Sequence, residues 1–173
     1  GRALKFYASV RMDVRKIEQG KFLLDYRQVE LVGLLQSIFD VFVSTATTHH
    51  IKYQFIRNVE QLMVYADPEN LDKIVMNLLS NAFKFTPDGG SIVMRLESDG
   101  ERFELEVMDS GVGISDEEKK KVFDLFYSAQ HRNGYIGTGI GLNLTSMLVK
   151  LHQGTIRVED NPEGKGACFV VNI

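Results

Sequence analysis

Apolar residues recur at helical spacing over several stretches of this chain and alternate with polar ones over others. The clearest stretch runs from Asp67 to Phe85. Leu71, Ile74, Val75, Leu78, Ala82 and Phe85 share one side of a helix, and Met76 and Leu79 widen that side. The start signals agree: Asp67 can cap free amides, Pro68 suits the first helical position and Glu69 complements the dipole. Thr86-Pro87-Asp88-Gly89-Gly90 then stops the helix, because Pro87 disfavours helical geometry at Thr86. A narrow polar stripe is left among the apolar positions: Asn77, Asn81 and Lys84, spaced four and three apart so that they project together.

The other elements follow from the same reading. Residues 3–18 form a helical pattern, with Leu4, Tyr7, Val14 and Ile17 on one face, and Gly20 ends it. Residues 22–28 read as a short strand and residues 31–46 as a second amphipathic helix. Residues 51–57 alternate as a strand (Ile51, Tyr53 and Phe55 on one face), and residues 62–65 as another. Residues 91–98 and 102–108 are strands joined by the hairpin signal Asp99-Gly100. Ser115-Asp-Glu-Glu118 is a capping box opening a short helix to about Phe126. Residues 127–138 are irregular and bear Gly134 and Gly137, so they read as a mobile lid. Residues 140–152 form a helix, with Gly154 past its end. Residues 155–159 and 166–173 finish the chain as strands. Helices beside a largely antiparallel set of strands predict an α+β, two-layer α/β sandwich.

Composition narrows the class. With 173 residues, 44% hydrophobic and 25% charged, the chain suits one domain with an appendage and a substantial core. A net charge of −3 supplies no argument for nucleic acid, and no nucleic-acid partner is expected. No apolar run approaches the roughly 20 residues that span a bilayer, and no signal peptide is visible. Cys168 stands alone, so no internal disulfide or cysteine metal cluster is expected. His49, His50, His131 and His152 lack metal-site spacing, and His49-His50 suits a helix end. The chain opens on Gly1 within a helical pattern, which suggests a fragment of a longer protein.

Three constellations carry candidate chemistry. A buried polar stripe needs partners, because an unpaired buried amide costs about 1–3 kcal/mol. Asn77, Asn81 and Lys84 therefore face either solvent and a neighbouring loop or a polar ligand; Asn offers a hard neutral oxygen that Mg²⁺ tolerates, and Lys a cation for phosphate. Asp109 follows a strand, and Ser110-Gly111-Val112-Gly113 lets the backbone turn. The motif is either a bare turn or a carboxylate placed for an exocyclic amine such as that of adenine, a bond worth about 1.5–3 kcal/mol. Gly137-Thr138-Gly139-Ile140-Gly141-Leu142 opens a helix whose N-terminus favours phosphate, but its spacing is that of neither the dinucleotide fingerprint nor a P-loop. Between the two glycine motifs, Phe123 and Phe126 read as core anchors, and His131 and Arg132 as solvated residues or phosphate contacts.

Together these motifs resemble sensor histidine kinases. Asn77-Leu-Leu-Ser-Asn81-Ala-Phe-Lys84-Phe-Thr looks like their N box, Asp109-Ser-Gly-Val-Gly113 their G1 box, and Phe123-Asp-Leu-Phe126-Tyr127 their F box. Gly137-Thr-Gly-Ile-Gly141-Leu142 looks like their G2 box, and Gly164-Lys-Gly166-Ala-Cys-Phe169 their terminal glycine motif. The resemblance covers roughly residues 22–173, with every motif in the family's order. It implies the catalytic ATP-binding domain on the Bergerat fold, a mixed sheet backed by three helices. Residues 1–20 would be the end of a dimerisation helix and its linker, and residues 21–173 the catalytic domain.

The resemblance also implies roles. Asp109 would hold the adenine amine beside Gly111, Gly113 and Ile114. Asn81 would ligate Mg²⁺. Asn77 and Lys84 would support the triphosphate and its transfer, with Phe85 and Tyr127 lining the site. Gly137, Thr138, Gly139, Gly141 and Leu142 would hold phosphates, with Arg132 reaching them from the lid. The partners implied are a dimerisation and histidine-phosphotransfer domain of the same protein, and a response-regulator receiver domain. The full-length protein would be a homodimer. The domain would be cytoplasmic, in a parent of a kind often anchored in the inner membrane.

Two features depart from the family pattern. None of the four histidines sits in a phosphoacceptor context, so the acceptor must lie elsewhere, and Ser128 stands where Arg often follows the F-box Tyr. Two other functions compete with γ-phosphate transfer to histidine. One is a water-directed ATPase, whose relatives carry a Glu base where Asn77 stands. The other is a nucleotide-binding or docking module without transfer activity.

Overall fold

In the computed structural model, residues 13–125, 127 and 141–173 are described. Among the described residues, two sheets and a helical layer make up the fold. Strands β1 (Arg27–Glu30) and β3 (Met63–Ala66) pair antiparallel as a small separate sheet. The main sheet has the order β2-β4-β5-β7-β6, formed by Lys52–Arg57, Ser91–Ser98, Phe103–Asp109, Ala167–Asn172 and Thr155–Asp160 respectively. Only the β2–β4 pair is parallel; the other three pairs are antiparallel. This is the mixed, mostly antiparallel sheet expected.

Helices α1 (Leu31–Val41), α3 (Pro68–Phe85) and α5 (Gly141–Leu151) cover one face of that sheet; α2 (Val43–Thr48) and α4 (Asp116–Lys119) are short. Alternation along the strands decides what each face holds. Ile92, Met94 and Leu96 of β4, Phe103, Leu105 and Val107 of β5, and Phe169 and Val171 of β7 join Leu71, Ile74, Val75, Leu78 and Leu148 in one core. Leu78 and Leu79 are fully buried, and burying such a leucine contributes about 1.5–3 kcal/mol. A smaller cluster on the opposite sheet face joins Met108, Cys168 and Val170. Burial there pushes the Cys168 thiol up to about 12, so it is an inert apolar residue.

Helix α3 forms as its sequence predicts. The Asp67 carboxylate accepts from the Asn70 backbone N–H at 3.1 Å and the Asn70 side chain at 2.7 Å. Pro68 occupies the first turn, and Thr86 ends the helix with its hydroxyl donating to the Ala82 carbonyl. The capping box at Ser115 and Glu118 is present with both reciprocal bonds. His49 caps the end of α2, its Nδ1 2.8 Å from Asp88.

Several boundaries differ from the sequence expectation. The strand predicted over residues 22–28 instead runs from Arg27 to Glu30; the chain before it is held by individual bonds, Asp25 N–H to the Asp67 carboxylate and Tyr26 hydroxyl to the Leu151 carbonyl. The helix predicted over residues 31–46 breaks at Phe42, whose N–H reaches back to Phe39 and whose ring stacks on Phe83 at 5.1 Å. The β4–β5 connection is the four-residue loop Asp99 to Arg102, closed by the Asp99 carboxylate accepting two backbone N–H bonds. Helix α4 ends at Lys119, and tight turns follow. Of the helix expected over residues 3–18, residues 13–18 are helical and the rest lie outside the described residues. Among the described residues no helix is long and apolar enough to cross a membrane.

Candidate nucleotide-binding site

Asp109 stands at the C-terminal end of β5, paired with Ile92 on one side of the sheet. It shares strand parity with Phe103, Leu105 and Val107, so its side chain points to the helical layer. The residue is 6% exposed. Its Oδ1 accepts the Gly111 N–H at 2.8 Å and the Ala167 N–H at 3.3 Å, and among the described residues no donor is found for Oδ2. Burial pushes the carboxyl above its usual range, and the two backbone donors hold it back only in part.

Glycines bring the backbone close around this carboxylate. A methyl on Gly111 would lie 2.5 Å from the Phe85 carbonyl oxygen and 2.8 Å from Asp109 Oδ1. That contact sets the end of α3 directly over the turn after β5. Gly113 adopts φ +77°, in the left-handed region that suits glycine, and packs on the Gly166 backbone. The half-buried Ile114 packs against the core.

The α3 stripe spans the distance from this turn to α5. At its near end Phe85 meets Gly111. At its far end the Asn77 side-chain amide donates to the Gly141 carbonyl and, at 2.9 Å, to Thr145 Oγ1. Asn81 and Lys84 lie between these contacts, both half-buried, with Lys84 Nζ 5.3 Å from the Phe85 ring centre. Gly141 and Leu142 form the first turn of α5, and Asn143 donates to the Phe123 carbonyl at 2.9 Å. The Phe123 ring meets Phe169 edge-on at 6.2 Å, as an anchor.

The structure thus brings together Asn77, Asn81, Lys84, Phe85, Asp109, Gly111, Gly113, Gly141 and Leu142 along one side of α3. Tyr127 is half-buried beyond α4. Phe126, His131, Arg132, Gly137, Thr138 and Gly139, predicted as anchor, lid and phosphate-binding residues, lie outside the described residues.

Sequence reasoning assigned no role to several residues that build the site. Gly166, at φ +127°, lets β7 pass against Asp109, and Asn161 donates to the Asp109 carbonyl at 2.9 Å. The Ser110 hydroxyl accepts the Ser91 N–H at 2.8 Å. The Gly164-Lys-Gly166 pair before the last strand was the one available signal.

This frame fits ATP. A buried carboxylate with one oxygen uncommitted among the described residues suits an exocyclic amine, glycine backbones beside it admit a flat ring, and the start of α5 suits phosphate. Among the described residues no group of three or more His, Cys, Asp or Glu could hold a metal. The amide oxygen of Asn81 fits Mg²⁺ as a single protein ligand, because that ion keeps waters and takes phosphate oxygens.

The family model described as "Histidine kinase-, DNA gyrase B-, and HSP90-like ATPase" matches residues 66–173, more than half of the chain. Histidine kinase P4 of Formosa agariphila is 35% identical over 167 residues, covering 94% of this chain and 12% of that protein. The chain therefore spans a small part of this curated relative. Full-length ShkA, solved in complex with AMPPNP, has a TM-score of 0.79 at 25% identity, covering 95% of this chain and 35% of ShkA. Histidine kinase ThkA in complex with response regulator protein TrrA shares the fold, with a TM-score of 0.77 at 22% identity over 98% of this chain and 48% of ThkA. The glycine-framed carboxylate of Asp109, the asparagine stripe of α3 and these likenesses agree: the chain belongs to the histidine kinase-, DNA gyrase B- and HSP90-like ATPase family and is homologous to the ATPase catalytic domain of sensor histidine kinases.

Proposed function

We propose that this chain binds ATP with Mg²⁺ and presents the γ-phosphate to a histidine on a dimerisation domain of the same protein. The observation that carries the reading is the buried Asp109 carboxylate, fixed through Oδ1 by Gly111 and Ala167, with Oδ2 taking no donor among the described residues. Ionised, it accepts the adenine amine. Gly111, Gly113, Ile114, Phe85 and Tyr127 border the base and sugar. Lys84 balances phosphate charge, and Gly141 and Leu142, with Gly137, Thr138, Gly139 and Arg132, border the phosphates. When bound, Mg²⁺, held by Asn81, supplies further neutralisation of the phosphates.

In the transfer an imidazole nitrogen forms the new N–P bond, the bond between the γ-phosphorus and its bridging oxygen breaks, and ADP leaves. The protein's part is positioning and charge balance. Asn77 cannot accept a proton at neutral pH, which supports transfer over direction of water.

On this reading residues 1–20 end the dimerisation helix and residues 21–173 are the catalytic domain. The contact between Asp13 and Lys73 at 2.9 Å, beside a buried Val14, supports a helix that leads directly onto α3. A response-regulator receiver domain is the downstream acceptor, as ThkA with TrrA suggests. On the same reading the full-length protein is a homodimer and this domain works in the cytoplasm.

The test is calorimetric titration of ATP into the chain with and without Mg²⁺, alongside Asp109→Asn, followed by incubation with the parent's dimerisation domain. Binding that needs Asp109 and produces acid-labile phosphohistidine supports the reading. Rapid multiple-turnover phosphate release without transfer favours the water-directed ATPase. Binding with neither outcome leaves a nucleotide-binding or docking module.

A further inference from the structure

We infer that Asn77 is a positioning residue: its side-chain amide sets where the first turn of α5 stands relative to α3, and it acts on bound phosphates only through that placement. The inference rests on the ATP reading above and assigns one of its residues an indirect role.

Three hydrogen bonds form a closed triangle, two of them crossing between the helices and one within α5. Asn77 Nδ2 donates to the Gly141 carbonyl and to Thr145 Oγ1, and Thr145 Oγ1 donates in turn to the same carbonyl at 2.9 Å. A carbonyl oxygen can only accept, so the nitrogen of the Asn77 amide must face α5. Both of its hydrogens are then committed. Thr145 is 1% exposed and the three bonds are half-buried, so leaving the Thr145 hydroxyl unpaired would be costly.

Gly141 is part of the device. A methyl there would lie 2.7 Å from Asn77 Oδ1 and 2.9 Å from Nδ2, so any side chain at this position would push the amide aside. Gly141 lies in the first turn of the helix whose N-terminal end faces the phosphates. Its placement therefore decides how far the backbone amides of that turn stand from Asn81 and Lys84, one and two turns further along α3. A carboxylate at position 77 would lose both donors and face a carbonyl oxygen.

Thr145 separates this role from direct ligation, because it is enclosed between the helices and cannot touch a nucleotide. Thr145→Val removes the hydroxyl at nearly constant shape. We expect Thr145→Val to weaken ATP binding roughly fivefold, the worth of about one hydrogen bond, while adenosine binding stays as in the wild type. The loss should be equal with and without Mg²⁺, Thr145→Ser should restore affinity, and Thr145→Val added to Asn77→Ala should cost little more than Asn77→Ala alone. Hydrogen exchange in the nucleotide-free chain should quicken at the amides of Leu144 to Met147 in both single variants. Wild-type ATP affinity in Thr145→Val, or an Asn77→Ala loss confined to Mg²⁺-containing buffer, would overturn the proposal. Failure of the wild-type chain to bind adenosine would sink the nucleotide reading instead; unchanged exchange at the start of α5 would then still overturn the interhelical tie.

Discussion

Gly166 and Asp109 touch through their backbones. A methyl group on Gly166 would lie 1.8 Å from the Asp109 carbonyl oxygen, and Gly166 holds φ at +127°. No side chain fits there, and L residues rarely adopt that backbone. Gly166→Ala should therefore destabilise the fold by about 2–4 kcal/mol, from overpacking and backbone strain together. Urea unfolding measures this. Nucleotide affinity should fall at the same time, because Ala167, the next residue, donates to the Asp109 carboxylate.

Asp109→Asn should separate binding from stability. On the proposed reading it removes the charge that would accept the adenine amine, so ATP affinity should drop about ten- to a hundredfold, the worth of a charge-assisted bond. The fold should not suffer. Burial raises the carboxyl's pKa in the folded chain, so the folded state prefers it protonated and ionisation opposes folding. That penalty is fully present above the folded pKa and disappears as pH falls below the unfolded value. Asp109→Asn should be at least as stable as wild type at neutral pH, with the difference shrinking on acidification. Wild-type ATP affinity should fall with acidification above the ordinary carboxylate range.

Asp67 should have the opposite pH signature. Burial pushes its carboxyl up, but bonds from the Asp25 N–H and from the Asn70 side chain and backbone outweigh this, aided by nearby His152, and the net direction is down. Its contribution to stability is thus present above the unfolded pKa and lost as pH falls through the lower folded value. Asp67→Ala should cost about 2 kcal/mol at neutral pH, from a lost helix cap and bonds to a charged acceptor, and less near the bottom of the acid range. Denaturant melts at several pH values would measure both signs on one protein.

Asn81→Ala should weaken only the Mg²⁺-dependent part of ATP binding, by roughly tenfold, about 1.4 kcal/mol. Titrations with and without the ion would measure it. An equal loss in both conditions would place Asn81 on the nucleotide instead.

Much of this fold was legible because local signals and tertiary packing agreed. Asp67, Pro68 and Thr86 bound α3 where its capping chemistry says, and β4 spans the predicted residues. The misreadings occur where long-range contacts decide. Phe42 looks like one more apolar position in a long helix, but its ring is claimed by Phe83, and the helix breaks to deliver it. Asp25 and Tyr26 sit in an apolar, strand-like run, but their partners are Asp67 and Leu151, far along the chain. At the site, the motifs marked Asp109 and the asparagine stripe. No local pattern could reveal that Asn77 reaches Thr145, or that Asn161 holds the Asp109 carbonyl, because those residues meet only after the helices and sheet assemble.

The strand order also governs when the Asp109 carboxylate gains its full set of backbone donors. Asp109 takes one donor from two residues away and the other from Ala167, 58 residues later, at the start of a strand inserted between β5 and β6. A ribosome must therefore release nearly all of this segment before the pocket can close. Until β7 slots into the sheet, an emerging chain has a half-built acceptor and an open gap in its centre. If Asp109 holds the nucleotide as proposed, ligand binds the finished sheet and not the half-built one, so binding and completion of the last strand are linked.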